Sequence, residues 1–311
     1  MASSSDASLV SLQHGVRPDE WRHSLDASNT ALLNTVLPLA GDLMKHVVAP
    51  TAERQLRLSH LGGALCVGPQ QLPWLWQLQC EASFLLLGSH CRVPALYLRN
   101  VPGANAYTLA FRGHAPAVVL HTDTLETLNA DEVRAVLAHE LGHIACEHGV
   151  WLNVARLVSM PFSGGAPGGG PLTAVVGSTL SRWSRAAELS CDRAALLVAR
   201  HPDVVVSALM KLVGGSPKIA SQLNLAAFRA QAASLVGSDS PGSDREGLMD
   251  WFVDAAASAL VPHNSIHDLM GAAATSFGQD HPSAVARAAE VDRWAGSPQF
   301  RALLARMPLK P

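Results

Sequence analysis

The sequence predicts an α+β fold that is predominantly helical, with a small antiparallel sheet beside its central helix. Strand-forming residues are concentrated in three short runs, at 94–98, 105–111 and 117–121, with turn residues between them. Helical periodicity dominates the chain after Asn129, where apolar residues recur three and four positions apart. The first of these helices contains the sequence His139-Glu140-Leu141-Gly142-His143, and we expect it to lie against the sheet.

Composition and breaker residues give the expected limits of the domain. Residues 1–28 are polar and interrupted by Pro18, which predicts a poorly ordered N-terminal arm that docks through Trp21 and Leu25. We expect residues 29–311 to form a single domain.

Helix start and stop signals place the remaining elements. In order, these are a helix from Asn29, a strand at 62–67, a helix from Pro69, the motif helix after a capping box of Asn129 and Glu132, and helices at 172–200, 202–213, 217–234, about 247–260 and from Pro282. A Gly/Pro-rich loop at 161–171 follows the motif helix. We expect this loop to act as a mobile flap over the cleft.

Composition also excludes several classes of protein. With 311 residues and 48% hydrophobic content the chain can bury a full core, and its formal charge of -2 argues against binding nucleic acid. The five cysteines form no C-x-x-C pair, which predicts buried thiols in a reducing compartment and no disulfide framework. The uncharged segment 157–181 contains three prolines and six glycines, so we expect no transmembrane helix there. Peripheral contact with membrane or lipid-droplet surfaces is still expected.

The motif H-E-x-x-H is typical of a zinc site. On a helix, His139 and His143 are about one turn apart and present two imidazoles to the same point. Glu140 lies about 100° round the helix, where its carboxylate can reach a metal-bound water without ligating the metal. A pattern with so few fixed positions also arises by chance in unrelated proteins, so the surrounding sequence has to decide.

A catalytic zinc site needs a third protein ligand. The extended motif with a third histidine is excluded, because Cys146 and Gly149 occupy the positions that require glycine and histidine. His148 is one residue short of the required position. It fits better as a solvated histidine, or as one that caps the helix C-terminus.

Two acidic residues on a later helix offer another third ligand. Glu188 and Asp192 are four apart on one face of an otherwise apolar helix, where buried carboxylates would need a cation. We expect Glu188 to bind zinc and Asp192 to hold a ligand imidazole through its free N–H. The alternative is a surface ion-pair cluster of these two residues with Arg185 and Arg193.

Four separated elements resemble a known family. The sequence H-E-L-G-H is followed about forty-five residues later by E-L-S-C-D-R-A-A, and then by His281-Pro282 with Arg287 five positions after the proline. With the strand at 105–107, this order resembles the HtpX-type zinc metallopeptidases, relatives of the CAAX prenyl proteases, over roughly residues 60–295. More narrowly, residues 105–110, 148–152 and 191–199 resemble the soluble plant and cyanobacterial branch. Its plant members include an enzyme of plastoglobules, the lipid droplets of plastids.

The resemblance implies a zincin-like core of the gluzincin type with one zinc ion per chain. The implied ligands are His139, His143 and Glu188, with Glu140 as the general base and with Asp192 and Arg287 in contact with the ligands.

The resemblance also implies how substrate is held. Asn105, Ala106 and Tyr107 would form an edge strand that pairs with an extended peptide, which gives main-chain affinity with little sequence preference. His281 would stabilise the oxyanion. On physical grounds alone, His281 also fits the cap before a helix that begins at Pro282, and this alternative stays open.

The function expected from these features is that of a zinc metalloendopeptidase acting on extended or unfolded polypeptides, in plastid protein turnover. Its partners are then polypeptide substrates. The alternative from another class is a zinc-bound scaffold or holdase that binds polypeptides without cutting them. By resemblance the location is the chloroplast, at plastoglobules or thylakoids, and the alternative location is the cytoplasm.

Overall fold

A computed structural model of the chain describes residues 15–36, 58, 61–109, 116–149, 171–237 and 283–307. The expected helix at about 247–260, the candidate oxyanion residue His281 and nearly all of the expected flap lie outside these residues.

The described part of the chain is mostly helical, as the sequence predicts. Its helices are α1 (Ser24–Val36), α2 (Pro73–Leu87), α3 (Thr122–Thr127), α4 (Ala130–Ala145), α5 (Pro171–Ala199), α6 (Pro202–Gly214), α7 (Pro217–Ala220), α8 (Leu225–Gly237), α9 (Ala284–Ala295) and α10 (Pro298–Arg306). A short 3-10 helix at Pro18–Glu20 precedes α1. Within the described ranges, no helix is both long enough and apolar enough to span a membrane.

The sheet has four strands in the order β1-β2-β4-β3. They are β1 (Leu65–Val67), β2 (Ala95–Arg99), β3 (Ala106–Leu109) and β4 (Ala117–His121). Strands β1 and β2 are antiparallel, as are β3 and β4, but β2 and β4 run parallel. The sheet is therefore mixed and not purely antiparallel, because β4 inserts between β2 and β3 and leaves β3 at an edge. Local sequence patterns do not record that spatial order.

Helix α4 begins with the capping box that the sequence predicts. The Asn129 side chain accepts a hydrogen bond from the Glu132 backbone N–H at 3.0 Å, and Glu132 accepts one in return from the Asn129 N–H at 2.8 Å. Glu132 is buried and also accepts bonds from Ser207 at 2.6 Å and Lys211 at 2.8 Å, both on α6. The start of the motif helix is thereby fixed to the neighbouring helix.

Helices α4 and α5 approach each other closely at Gly142. A methyl group added there would lie 3.0 Å from the Ala194 Cβ and 3.1 Å from the Cys191 Cα. A side chain at this position would push the two helices apart. The missing Cβ therefore lets α5 bring its acidic residues up to the histidines of α4.

Residues 15–28 pack against the rest of the described chain, and the expected docking through Trp21 is present. Trp21 is fully buried, and its indole N–H donates to the Val16 carbonyl at 3.1 Å. The expected boundary between residues 28 and 29 falls inside α1. The burial of Trp21 and of Asp26, on α1, gives this polar stretch an ordered place.

The cysteines agree only in part with expectation. All five are free, as expected in the absence of a disulfide framework. Cys146 and Cys191 are buried, but Cys66 and Cys91 are exposed, so the expectation of uniformly buried thiols is wrong.

Candidate metal centre

The structure brings together the three residues that the sequence predicts as ligands. His139 and His143 project from α4 towards Glu188 on α5. The His139 Nε2 lies 3.3 Å from the Glu188 Oε2, and the His143 Nε2 lies 3.4 Å from the Glu188 Oε1. Two imidazole nitrogens and one carboxylate form the donor set of many catalytic zinc sites.

These separations fit a metal ion held between the ligands. Atoms about 2.0–2.1 Å from a tetrahedral zinc ion are about 3.3 Å apart. The observed 3.3 Å and 3.4 Å agree with this spacing. They exceed the roughly 2.7–2.9 Å of a charge-assisted hydrogen bond, so direct pairing is a poorer account of them.

Both acidic residues of α5 are buried. Glu188 and Asp192 are each only 2% exposed, so the alternative of a surface ion-pair cluster is wrong. Arg193 instead contacts Glu290, with its Nη2 3.2 Å from the Oε1. Carboxylates buried in this way need compensating positive charge or donors.

The electrostatics around His139 favour a positive charge. Burial lowers the pKa of His139, but the charge of Glu188 and the hydrogen bond to Asp192 outweigh burial and raise that pKa to about 10. A metal ion bound by the imidazole would replace this proton, so metal binding is coupled to proton release.

Asp192 and Arg287 hold His139 from behind. The Asp192 Oδ1 lies 3.1 Å from the His139 Nδ1, the nitrogen turned away from Glu188. Arg287, on α9, donates to the two Asp192 oxygens at 2.7 Å and 2.6 Å, and its Nη1 lies 3.3 Å from the Glu188 Oε2. Burial raises the pKa of Asp192, but the charge and hydrogen bonds of Arg287 outweigh it, so that pKa is lowered. This carboxylate is thus kept ionised.

His148 is buried at 1% exposure, so the expectation of a solvated histidine is wrong. Glu147 adopts a positive φ of 56°, which turns the chain back after α4, and the His148 backbone N–H donates to the His143 carbonyl at 2.9 Å. The His148 Nδ1 then lies 3.0 Å from the His143 Nδ1, and its Nε2 lies 2.9 Å from the Asp26 Oδ2. His148 therefore contacts the back of a candidate ligand.

Glu140 is held beside the histidines by the edge strand. The Thr108 hydroxyl, on β3, lies 2.8 Å from the Glu140 Oε2 and 2.9 Å from the Glu140 carbonyl oxygen, and donates its single proton to one of them at a time. Ala106 and Tyr107 belong to the same strand, and Asn105 immediately precedes it. The strand that contains two of the candidate substrate-binding residues thus contacts the candidate general base through Thr108.

Cys191 is a further potential donor near the histidines. Its sulfur and one nitrogen each of His139 and His143 lie within 4.8 Å of one another. Burial raises the pKa of the Cys191 thiol well above its usual value, and the charge of Glu188 adds to this. Because the thiolate is the form that binds metal, this raised pKa disfavours Cys191 as a donor while no metal is bound.

Three contributors to the site were not predicted as such. Thr108 orients Glu140, Gly142 lets the helices approach, and Asp26 contacts His148. Gly142 offers the clearest signal in the sequence, since glycine inside an apolar helical pattern often has a packing reason. No local pattern marks Asp26 or Thr108.

Comparisons with known proteins agree on one protein family. Residues 90–295 match peptidase family M48. The chain is 39% identical over 289 residues to Plastoglobule-localized metallopeptidase 48, chloroplastic, of Arabidopsis thaliana, which covers 93% of this chain and 76% of that protein. It is 29% identical over 92 residues to Protease HtpX of Sodalis glossinidius, which covers 30% of this chain and 31% of that protein. No solved structure matches the chain.

The matched segment is more than half of the chain and includes both helices that carry the candidate ligands. The resemblance to HtpX-type enzymes is confirmed. The chain belongs to peptidase family M48 and is a metallopeptidase.

Proposed function

We propose that this chain is a zinc-dependent endopeptidase that hydrolyses extended or unfolded polypeptides, with zinc bound by His139, His143 and Glu188. The observation that supports this best is the meeting of both Nε2 atoms with the two oxygens of one buried carboxylate, at 3.3 Å and 3.4 Å. Glu140 lies beside them as the candidate base.

Zinc bound here would polarise the peptide carbonyl and make a water molecule more acidic. Glu140 is 6% exposed, and its carboxylate would take a proton from that water and pass it to the leaving amine. Thr108 holds the Oε2 of this carboxylate and so limits its rotation. Asp192 and Arg287 fix the orientation of one ligand ring.

Strand β3 is the feature that favours extended substrates. It lies at the edge of the sheet and contributes Thr108 to the contact with Glu140. A peptide added to that edge, along Ala106 and Tyr107 and the preceding Asn105, would run past the candidate base. Main-chain pairing of this kind requires the substrate to be extended, but it depends little on the sequence of the substrate. We place His281 in the role of oxyanion donor in the same proposal.

The proposed setting is protein turnover in the plastid, with peripheral contact at plastoglobules or thylakoids. The name of the Arabidopsis relative, which describes a chloroplastic and plastoglobule-localized metallopeptidase, supports this setting.

The test compares zinc-loaded wild type with Glu140→Gln on an unfolded protein and a peptide library. We expect the variant to keep stoichiometric zinc and to lose about 10²–10⁴-fold in cleavage rate, the usual contribution of a general base. Glu126→Gln makes the same chemical change at an exposed residue of α3 and should cleave like wild type. If zinc-loaded wild type binds the peptides and returns them all intact, the chain is a holdase and the endopeptidase proposal is wrong.

A further inference from the structure

The two candidate ligand histidines differ in what contacts their outer nitrogens. The His139 Nδ1 faces a carboxylate, whereas the His143 Nδ1 faces another imidazole, that of His148, at 3.0 Å. The remaining nitrogen of His148 faces Asp26 at 2.9 Å. The side chains of His143, His148 and Asp26 therefore form a continuous line of contacts from the candidate metal site to α1.

The direction of the hydrogen bonds in this line follows from metal binding. A neutral imidazole that binds metal through Nε2 carries its proton on Nδ1, so the His143 Nδ1–H must donate. The His148 Nδ1 then accepts, which places the proton of His148 on Nε2. From there it is donated to the Asp26 carboxylate. One tautomer of each histidine satisfies every member of the line.

Asp26 is built into the protein as a fixed acceptor. It is fully buried, and Arg22 donates to both of its oxygens, at 2.7 Å and 2.9 Å. The Ser190 hydroxyl, on α5, donates to the Oδ2 at 2.7 Å, and Thr30 donates to the Oδ1 at 3.2 Å. Donors on two helices therefore hold the carboxylate in one orientation towards His148.

Asp26, Cys146 and His148 also lie close enough to suggest a second metal site, since one donor atom of each is within 4.8 Å of the others. The Arg22 guanidinium already occupies both Asp26 oxygens, and a cation would have to displace it. The line of hydrogen bonds accounts for this cluster without a second ion.

We propose that Asp26, acting through His148, positions the metal ligand His143. The inference rests on the proposed function, because it takes His143 to be a ligand. Asp26 lies outside the segment that matches the peptidase family, residues 90–295. Helix α1 thus contributes to the metal centre, and Asp26 is its positioning residue.

Two substitutions cut the same link from opposite sides. Asp26→Asn removes the charged acceptor, while His148→Asn keeps an oxygen near the Nδ1 position for His143 but cannot reach Asp26. We expect each to weaken zinc binding about 10-fold, at the low end for partners of a ligand histidine. The double variant should bind zinc no less tightly than the single variant with the lower affinity, because both changes break the same line of contacts. Zinc affinity is measured by competition with a chromophoric chelator.

Absorption spectra of the cobalt-loaded proteins separate positioning from mere stability. Asp26→Asn and His148→Asn should shift the cobalt bands in the same way. Trp21→Phe, a packing change in the same segment that leaves the line intact, should keep the wild-type spectrum and affinity. If Asp26→Asn does not fold, His148→Asn makes the same cut without altering α1.

The outcomes distinguish this inference from the proposed function. If wild type binds no tight zinc that depends on Glu188, the proposed function and this inference both fail. If zinc is tight and depends on Glu188, but both single variants keep wild-type affinity and cobalt spectra, the positioning role alone is wrong. Effects of the two substitutions that multiply in the double variant would also overturn it.

Discussion

The two histidines of the H-E-x-x-H helix are supported in different ways, although both supports end in a buried aspartate that pairs with an arginine. His139 contacts Asp192 directly, and Arg287 donates to both oxygens of that carboxylate. His143 reaches Asp26 only through His148, and Arg22 donates to both oxygens there. The support of His139 consists of one contact, and the support of His143 consists of two contacts in series.

The difference shows how the site can orient both rings while keeping one negative charge at a distance. A carboxylate in direct contact with a ligand imidazole makes the imidazole a stronger donor to the metal. A neutral histidine between them keeps the orientation but weakens this electronic effect. In each support the arginine offsets the buried aspartate charge, which would otherwise be costly.

Of the two supports, the direct one is expected to have the larger effect on metal binding when it is broken. Asp192→Asn should weaken zinc binding about 10–100-fold, because His139 loses a charged acceptor and Arg287 loses its partner. The zinc dissociation constant measured by chelator competition checks this. An effect smaller than that of Asp26→Asn would reverse the order of the two supports.

A smaller effect on zinc affinity is expected from changing the distance between α4 and α5, on which both supports depend. Gly142→Ala places a methyl group 3.0 Å from the Ala194 Cβ, so α4 and α5 must separate slightly. We expect a loss of about 1–3 kcal/mol in the free energy of unfolding. Zinc affinity should fall as Glu188 moves away from the histidines. Chemical denaturation of the metal-free protein and zinc titration check the two parts, and unchanged values in both would show that the close approach is not needed.

No effect on zinc affinity at neutral pH is expected from Glu290→Gln, because the contacts of Glu290 are with His23, Arg193 and Arg293, which belong to neither support. Glu290 lies 3.4 Å from the His23 Nε2 and 3.2 Å from the Arg193 Nη2, and it also pairs with Arg293. Burial raises the pKa of Glu290, but the bond to His23 and the charge of Arg293 outweigh it and lower that pKa to about 2.

The sign of the pH effect follows from this lowered pKa. Since the folded value is below the ordinary value of 4.5, ionised Glu290 stabilises the fold above pH 4.5. That stability is lost as the pH falls towards 2. The contribution is at most about 3 kcal/mol. Unfolding measured across this range should show a shallower pH dependence in Glu290→Gln than in wild type, and identical profiles would contradict the assignment.

The parts of the site that follow helical periodicity could be predicted from the sequence. Spacings of four residues place His139 near His143 and Glu188 near Asp192, and the capping box fixes where the first helix begins. The structure shows the four side chains together. Their roles in binding metal remain the proposal made above.

The support behind His143 could not be predicted, for two physical reasons. Asp26 and His148 are separated by 122 positions, and their contact depends on how α1 packs against α5. The turn that brings His148 back to His143 uses Glu147 at a positive φ, where glycine or asparagine is the usual signal. Without that signal, the sequence suggests a histidine that is solvated or lies at the helix C-terminus.

The sheet presents a similar limit. Its strands follow the runs of strand-forming residues, but the parallel pairing of β2 with β4 depends on which strands become neighbours. The alternation of residues along each strand does not determine which strands become neighbours in the sheet.

The central claim is that Glu188 completes the metal centre, and zinc content after mild chelation tests it most directly. Wild type, Glu188→Ala and the control Glu126→Ala, the same change at an exposed residue of α3, would be loaded with zinc, dialysed against a weak chelator and analysed for metal. We expect about one zinc per chain in wild type and in Glu126→Ala, and almost none in Glu188→Ala. Stoichiometric zinc held by Glu188→Ala with wild-type affinity would contradict the account.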